Sequence, residues 1–211
     1  EVFYNISSWY FSNDLYKYSI FFGKLSTKLR NNFNAMRILL AGSFSQLNLD
    51  ELGVLELEKL NHKNIYYLKM IKMRLAFLDK LDKTDIFFKE IKDFTLRFPN
   101  EVEMKVLLAD KYRQNKKFED AIEIYTQVID YENLLNKSNI LYSRGISYER
   151  MNRWNKAEQD FKDSLNLNPE DPYVMNYLAY SWLDREINVA KALKLLIRAV
   201  EIEPSDAFNL I

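Results

Sequence analysis

Apolar residues recur every three or four positions along most of the chain, and three alanines set the clearest register. Ala121, Ala157 and Ala192 lie 36 and 35 residues apart. Each is followed four positions later by a bulky apolar side chain, respectively Tyr125, Phe161 and Leu196. This spacing places the alanine and the bulky residue on one face of a helix. A repeat period between about 20 and 50 residues indicates a solenoid of stacked helical units.

A second helical pattern precedes each alanine. In it a small residue is followed three positions later by an aromatic one, in the pairs Ala109 and Tyr112, Gly145 and Tyr148, and Ala179 and Trp182. Two antiparallel helices pack closely only where a side chain is small, so we expect the small residue of one helix to face the alanine of the next. The aromatic ring then fills the space beside this contact.

Together these patterns resemble the tetratricopeptide repeat, a helix–turn–helix unit of about 34 residues. The family has a small residue and a tyrosine in its first helix, and alanine, phenylalanine and proline in its second. The segment 168–204 is also similar to a segment common in multi-repeat proteins of alphaproteobacteria, which are soluble adaptors or envelope-associated scaffolds. The resemblance implies an all-α fold, a right-handed α-solenoid of about six helix–turn–helix units.

The register extends towards the N-terminus with less regular matches. It predicts one solenoid with units at approximately residues 1–33, 34–67, 68–101, 102–137, 138–171 and 172–206. In the third unit Phe87 takes the place of the alanine, and in the first Gly23 stands where a bulky residue is expected.

Residues at the expected unit boundaries are typical of helix starts. Asn100 with Glu103 predicts a capping box, and Asp171 followed by Pro172 predicts a cap with proline in the first helical position. After Ser205 the letters DAFNLI begin a further first helix. We therefore expect the chain to be a segment of a longer array.

Composition narrows the range of functions. The 211 residues include no cysteine, which excludes disulfides and thiolate sites. Thirty basic and thirty acidic side chains balance, so nucleic acid is not an expected partner. The charge shifts mildly along the chain, from +4 in residues 61–100 to −4 in residues 101–211. No apolar run is long enough to span a bilayer, and we expect a soluble bacterial protein, either cytoplasmic or periplasmic and envelope-associated.

No catalytic, metal-binding or cofactor-binding group is predicted, so the chain is not expected to be an enzyme. His62 is the only histidine, and a lone turn histidine without partners is more often solvated than a ligand. No glycine belongs to a phosphate-binding cluster. The acidic pairs Glu119–Asp120 and Glu170–Asp171 stand at expected helix starts, where the helix dipole explains them more simply than acid–base catalysis.

The resemblance also implies where a partner would bind. In the family the first helices of successive units line a concave groove, and fixed positions of each unit face it. By register these positions hold the candidate partner-binding residues, which are Lys72, Asp110, Arg113, Tyr142, Glu149, Tyr173, Asn176 and Tyr180. Asn176 is suited to hold a peptide backbone. A second interpretation, equally open, is that Tyr173 and Tyr180 pack against the next unit.

The sequence therefore predicts a non-catalytic scaffold or adaptor that binds another protein or peptide through the groove, with homo-oligomerisation left open. A different class of function is a structural array that self-associates through its ends or its charge shift. In a third, the segment recruits partners for a larger enzyme or envelope assembly. A clamp for acidic C-terminal peptides is not expected, because Val106 and Asp110 stand where the family's clamp repeats carry Lys and Asn.

Overall fold

The computed structural model describes residues 1–59, 63, 65–131 and 136–204. Over these residues the chain forms twelve α-helices and no β-strand. The helices are α1 (Val2–Ser12), α2 (Tyr16–Leu29), α3 (Asn34–Gln46), α4 (Asp50–Leu57), α5 (Tyr67–Lys80), α6 (Thr84–Arg97), α7 (Val102–Gln114), α8 (Phe118–Ile129), α9 (Lys137–Arg150), α10 (Trp154–Leu167), α11 (Pro172–Asp184) and α12 (Val189–Ile202). The all-α fold is confirmed. His62 and the expected helix at 206–211 lie outside the described residues.

The helices form two compact units, Glu1–Asp93 and Phe94–Ile211. In the first unit α1 packs on α2, α2 on α3, α3 on α4 and α4 on α5. In the second unit each helix from α7 to α12 packs on the next one in the chain. Packing between sequence neighbours makes each unit a stack of helices, which is the arrangement of a solenoid.

A short turn joins the two helices of each pair, and it contains a residue in the left-handed conformation. These residues are Asp14, Asn48, Asp82, Lys116, Asn152 and Glu186, with φ from 53° to 59°. The next residue donates its backbone N–H to a carbonyl five positions earlier, for example Arg153 to Tyr148 at 2.8 Å. Such caps satisfy carbonyls that a helix end leaves unpaired. The aromatic position of the sequence pattern therefore also supplies the carbonyl that closes the turn.

The start of α11 follows the sequence expectation. Asp171 accepts hydrogen bonds from the backbone N–H groups of Tyr173 and Val174 at 3.1 and 3.2 Å. Pro172 is the first residue of the helix, where its missing N–H costs nothing. This cap orients the helix that carries three of the eight candidate partner-binding residues.

The start of α7 differs from the expectation. Its capping residue is Glu101, whose side chain makes no capping hydrogen bond. The predicted capping box with Asn100 as the cap is therefore wrong, because the chain enters the helix one residue later than the pattern indicated. At the start of α8, Glu119 and Asp120 do lie in the first turn, as the helix-dipole interpretation requires.

The alanines that set the register are buried where helices meet. Ala121, Ala157 and Ala192 have no solvent exposure. A Cβ atom added to Gly145 would lie 2.6 Å from Cε1 of Phe161, so the α9 backbone runs directly over that ring. We expected the small residue to face an alanine; at Gly145 it faces Phe161 instead, because the ring fills the space between α9 and α10.

Serines fill the corresponding small positions in the first helix pair. Ser7 and Ser19 are completely buried, and the Ser7 hydroxyl donates to the Ser19 carbonyl at 2.8 Å. The hydroxyls of Ser19 and Ser43 are 2.9 Å apart, and Ser43 donates to the carbonyl of Leu39 at 2.9 Å. Each hydroxyl is paired, so the polar atoms do not disrupt the contact.

Largely buried ion pairs connect the two helices of three pairs. In each, an arginine of the first helix bonds a carboxylate of the second at 2.7 to 2.8 Å, the pairs being Arg37–Glu56, Arg74–Glu90 and Arg144–Asp160. The pattern of apolar residues gave no indication of these contacts. Removing one partner of such a pair leaves a charge buried without compensation, which destabilises a fold strongly.

Candidate protein-binding cleft

An open cleft of about 370 Å³ lies on the second compact unit, between residues of α9 and α11. Its lining is rich in tyrosine and consists of Tyr142, Glu149, Arg150, Tyr173, Asn176, Tyr177, Tyr180, Ser181 and Asp184. Five of the residues expected from the repeat register are therefore brought together in one concave surface. We call this surface the tyrosine cleft.

One face of α11 forms much of the tyrosine cleft. Tyr173, Asn176 and Tyr180 follow one another at spacings of three and four residues, which align them along the helix. Tyr173 is 59% exposed and Tyr180 is 37% exposed, whereas Asn176 is only 5% exposed. The two tyrosines thus present ring surface to solvent on either side of a buried amide.

The amide of Asn176 is a buried polar group with an unpaired atom. Its Oδ1 is covered and has no hydrogen-bond partner among the described residues. An unpaired buried acceptor costs about 1–3 kcal/mol, because it has lost its hydrogen bond to water without replacement. A side chain of similar size without polar atoms would avoid this cost. The unpaired oxygen therefore does not contribute to the stability of the fold.

Aromatic packing supports the cleft from below. The rings of Tyr142 and Tyr177 meet edge to face with their centroids 5.8 Å apart, and both contact Phe161. Burial, with the nearby Tyr177 and Asp171 adding to it, raises the pKa of Tyr142 to about 12. The Tyr142 hydroxyl therefore keeps its proton at neutral pH and can donate a hydrogen bond.

Charged residues at the cleft are largely engaged with one another. Glu149 accepts a hydrogen bond from Arg185 at 3.1 Å and one from the Tyr177 hydroxyl at 3.5 Å. Burial is the main reason that the pKa of Tyr177 is raised, and the charge of Glu149 adds to it. The guanidinium of Arg185 also lies 4.2 Å from the centre of the Trp154 ring. Glu149 therefore braces α9 against α11.

The remaining candidate residues are not in the lining of the tyrosine cleft. Asp110 and Arg113 lie on α7, where the Tyr125 hydroxyl donates to Asp110 at 2.5 Å and receives a hydrogen bond from Arg113 at 3.4 Å. This arrangement ties α7 to α8. Lys72 lies on α5 in the first compact unit and is half-buried.

Sequence reasoning missed several residues that line the cleft, chiefly Tyr177, Arg150 and Ser181. The positions transferred from the family do not include Tyr177, although it stands next to Asn176 and four residues after Tyr173. The four-residue spacing from an expected groove residue was an available signal, because such residues are neighbours on a helix.

Two further properties of the described residues bear on other kinds of function. Within the described part of the chain, no group of three or more His, Cys, Asp or Glu residues is arranged to hold a metal ion. None of the helices described is both long and apolar enough to cross a membrane.

Comparison with known proteins identifies two segments of the second compact unit. Residues 102–133 and residues 138–171 each match a model of the tetratricopeptide repeat. These two segments of the chain are tetratricopeptide repeats. The match at 138–171 covers α9 from its second residue and the whole of α10, and therefore contributes Tyr142, Glu149 and Arg150 to the tyrosine cleft.

Solved structures with the same fold are also repeat proteins. The C-terminal part of a tetratricopeptide repeat-containing protein from Cytophaga hutchinsonii is 15% identical, with a TM-score of 0.74 over 94% of this chain and 78% of that one. A tetratricopeptide repeat protein from Parabacteroides merdae is 13% identical, with a TM-score of 0.74 over 95% and 78%. MamA from Desulfovibrio magneticus RS-1 is 12% identical, with a TM-score of 0.68 over 82% and 97%.

At these identities the likeness shows the fold alone. A comparison with curated proteins finds no match. Tetratricopeptide repeats are non-catalytic units that present extended surfaces to other proteins. The chain therefore has the architecture of a protein-interaction scaffold.

Proposed function

We propose that the tyrosine cleft binds an extended peptide segment of another protein, so that the chain acts as an adaptor in a bacterial scaffold or assembly. The observation that carries this proposal is the buried and unpaired Oδ1 of Asn176 between two exposed tyrosines. An extended peptide has free backbone N–H groups, and one of them can donate to this oxygen.

The oxygen is covered in the free protein, so the amide of Asn176 turns on binding. A half-turn about χ2 exchanges the positions of its oxygen and nitrogen, and this torsion is soft in asparagine. Tyr173 and Tyr180 then contact side chains of the bound segment on either side of the amide. Tyrosine supplies large contact area with few rotatable bonds, which suits it to such a role.

We extend the proposal to the whole chain by keeping the six repeat units at residues 1–33, 34–67, 68–101, 102–137, 138–171 and 172–206. In this arrangement α7, α9 and α11 are the first helices of units four to six. Asp110 and Arg113 on α7, and Lys72 on α5, remain candidates for contacts beyond the tyrosine cleft. Self-association of the array and recruitment for a larger assembly stay as alternative functions.

The test uses the intact chain and a displayed library of random peptides. Selected peptides are titrated onto the wild type, Asn176→Leu and the matched control Asn155→Leu, which changes an exposed asparagine of α10. We expect Asn176→Leu to weaken binding at least about tenfold, which corresponds to about 1.4 kcal/mol, and Asn155→Leu to leave it unchanged.

The fold is checked on the same variants by urea unfolding. Because Oδ1 has no partner to lose, Asn176→Leu should not destabilise the protein. Peptides whose binding ignores the Asn176 change would contradict the proposed site. Sedimentation of the free protein separates the self-association alternative, which predicts a mass that rises with concentration and falls with added salt.

A further inference from the structure

We propose that the segment bound in the tyrosine cleft is proline-rich and lies along α11 as a polyproline II helix. This inference rests on the proposed function and adds the conformation and chemistry of the partner. It depends on the unpaired amide oxygen, on the distance between the two exposed tyrosines and on the charge of the lining.

The amide oxygen argues against a helical partner. Asn176 Oδ1 requires a donor, and the backbone N–H groups in the interior of an α-helix are already bonded to carbonyls of the same helix. A polyproline II segment forms no internal hydrogen bonds, so the N–H of each residue other than proline is free. An extended partner can therefore donate a backbone N–H to this oxygen once the Asn176 amide has turned towards the cleft.

The spacing of the two tyrosines distinguishes a polyproline II partner from a β-strand. Tyr173 and Tyr180 are seven residues apart on α11, which corresponds to about 10.5 Å along the helix axis. Side chains on one face of a β-strand recur at about 6.6 Å or about 13 Å. In polyproline II the same face recurs every three residues, or about 9.3 Å. Only the polyproline II repeat places successive side chains close to both rings.

The lining favours proline at those two positions. Proline rings are compact and apolar and pack on tyrosine faces, as in other aromatic-lined grooves that bind such segments. The residues between two such prolines carry the N–H that Asn176 requires. Tyr142 keeps its proton and can donate to a carbonyl of the segment, none of which is used within a polyproline II helix.

The charges of the cleft do not select a strongly charged peptide. Glu149 is bonded to Arg185, and the remaining charged lining residues, Arg150 and Asp184, have opposite signs. A peptide without charged side chains therefore gives up no favourable electrostatic interaction with the cleft. A polyproline II segment is also ordered before it binds, which lowers the entropy cost of association.

The experiment titrates the intact chain with labelled peptides and follows fluorescence anisotropy. The probe carries proline at every third position with alanine between. One comparison peptide has all prolines replaced by alanine, and another has prolines at every second position, which changes their spacing but keeps an extended chain. We expect the first probe to bind at least tenfold more tightly than either comparison peptide.

Matched variants locate the binding. Tyr173→Ala and Tyr180→Ala should each weaken the probe several-fold, whereas Tyr173→Phe, which keeps the ring, should bind it nearly as well as the wild type. Tyr18→Ala, which removes an exposed tyrosine of α2, should have no effect. Both cleft tyrosines are solvent-exposed, so these changes leave the fold intact, as circular dichroism will verify.

The outcomes distinguish this inference from the proposed function. If the probe does not bind, but library peptides without proline bind and lose affinity in Asn176→Leu, the polyproline inference is overturned and the peptide-binding cleft stands. If no peptide responds to the Asn176 change, both are overturned. Equal binding of the two proline spacings would also overturn the inference, because the match to the tyrosine spacing would then be irrelevant.

Discussion

In the first compact unit the small residues at the contact between α1 and α2 are serines. In the second unit the small residues at the position of Ser19 in the repeat register are alanines. Ser19 and Ala157 are both completely buried. Ser19 is hydrogen-bonded through its hydroxyl, and Ala157 has no polar side-chain atom to satisfy. The contact therefore requires small volume, and its chemistry can vary provided that polar atoms are paired.

This difference between serine and alanine explains why the sequence matches the repeat model in only one of the two units. Both matches to the repeat model, 102–133 and 138–171, fall in the second unit. Sequence comparison depends on which residue occupies a position, whereas packing depends on its size and hydrogen bonds. The first unit keeps helix pairs and left-handed turns while departing from the family's residues.

The largest expected effect comes from the charged contact in the first unit. Glu56 is buried and bonded by Arg37 at 2.8 Å, and also by Lys24 and Lys59. Glu56→Gln should cost about 3–5 kcal/mol at neutral pH, because it leaves buried positive charge uncompensated. Urea unfolding measures the loss. The control is Glu170→Gln in the second unit, an exposed residue for which a change below about 0.5 kcal/mol is expected.

The same variant gives a pH prediction. Burial opposes the charge of Glu56, but hydrogen bonds and charges from Lys24 and Lys59 outweigh it, so its pKa lies below the ordinary value of 4.5. A lowered pKa in the folded state stabilises the protein above the unfolded pKa, and this stabilisation is lost as the pH falls through the folded value. The difference between wild type and Glu56→Gln should therefore shrink below about pH 4.5. A difference that stays constant would refute this account.

A smaller loss is expected from overfilling the alanine contact of the second unit. Ala157→Trp forces a large ring into a site with no exposure and should cost about 1–3 kcal/mol. Ala190→Trp, at an exposed site of α12, is the control and should change the unfolding free energy little. An unchanged urea midpoint for Ala157→Trp would show that the register of the repeat is misplaced.

The smallest effect is expected at the serine contact. In Ser19→Ala the hydroxyls of Ser7 and Ser43 keep their backbone acceptors, so no buried polar atom loses its last partner. We expect a loss below about 1 kcal/mol by urea unfolding. A loss as large as that of Ala157→Trp would mean that the hydroxyl network, and not volume alone, holds α1 against α2.

Some features of the candidate site could be read from the chain and others could not. The register indicated Tyr173, Asn176 and Tyr180 because one face of a helix follows directly from residue spacing. Tyr177 was missed because it lies beside that face and joins the cleft only through its contact with Tyr142 on another helix. The sequence also could not predict that Asn176 Oδ1 is buried without a hydrogen-bond partner, since this depends on which neighbours cover the amide.

The turns show a similar limit. Asp14 and Asn48 are residue types that tolerate the left-handed conformation, so their role was readable in principle. Lys116 and Glu186 adopt the same conformation without that preference. There the helix end requires the conformation, because a carbonyl near the helix terminus would otherwise remain unpaired.

The sequence by itself determined that the chain is helical, that its helices pair and that small residues recur where pairs meet. These properties follow from local periodicity, which every residue carries with it. Only the tertiary structure decided which charges share a buried contact, which tyrosines meet in one cleft and which buried oxygen is left without a partner. These depend on neighbours that are distant in sequence, and their energies arise only when water has been removed from the contact.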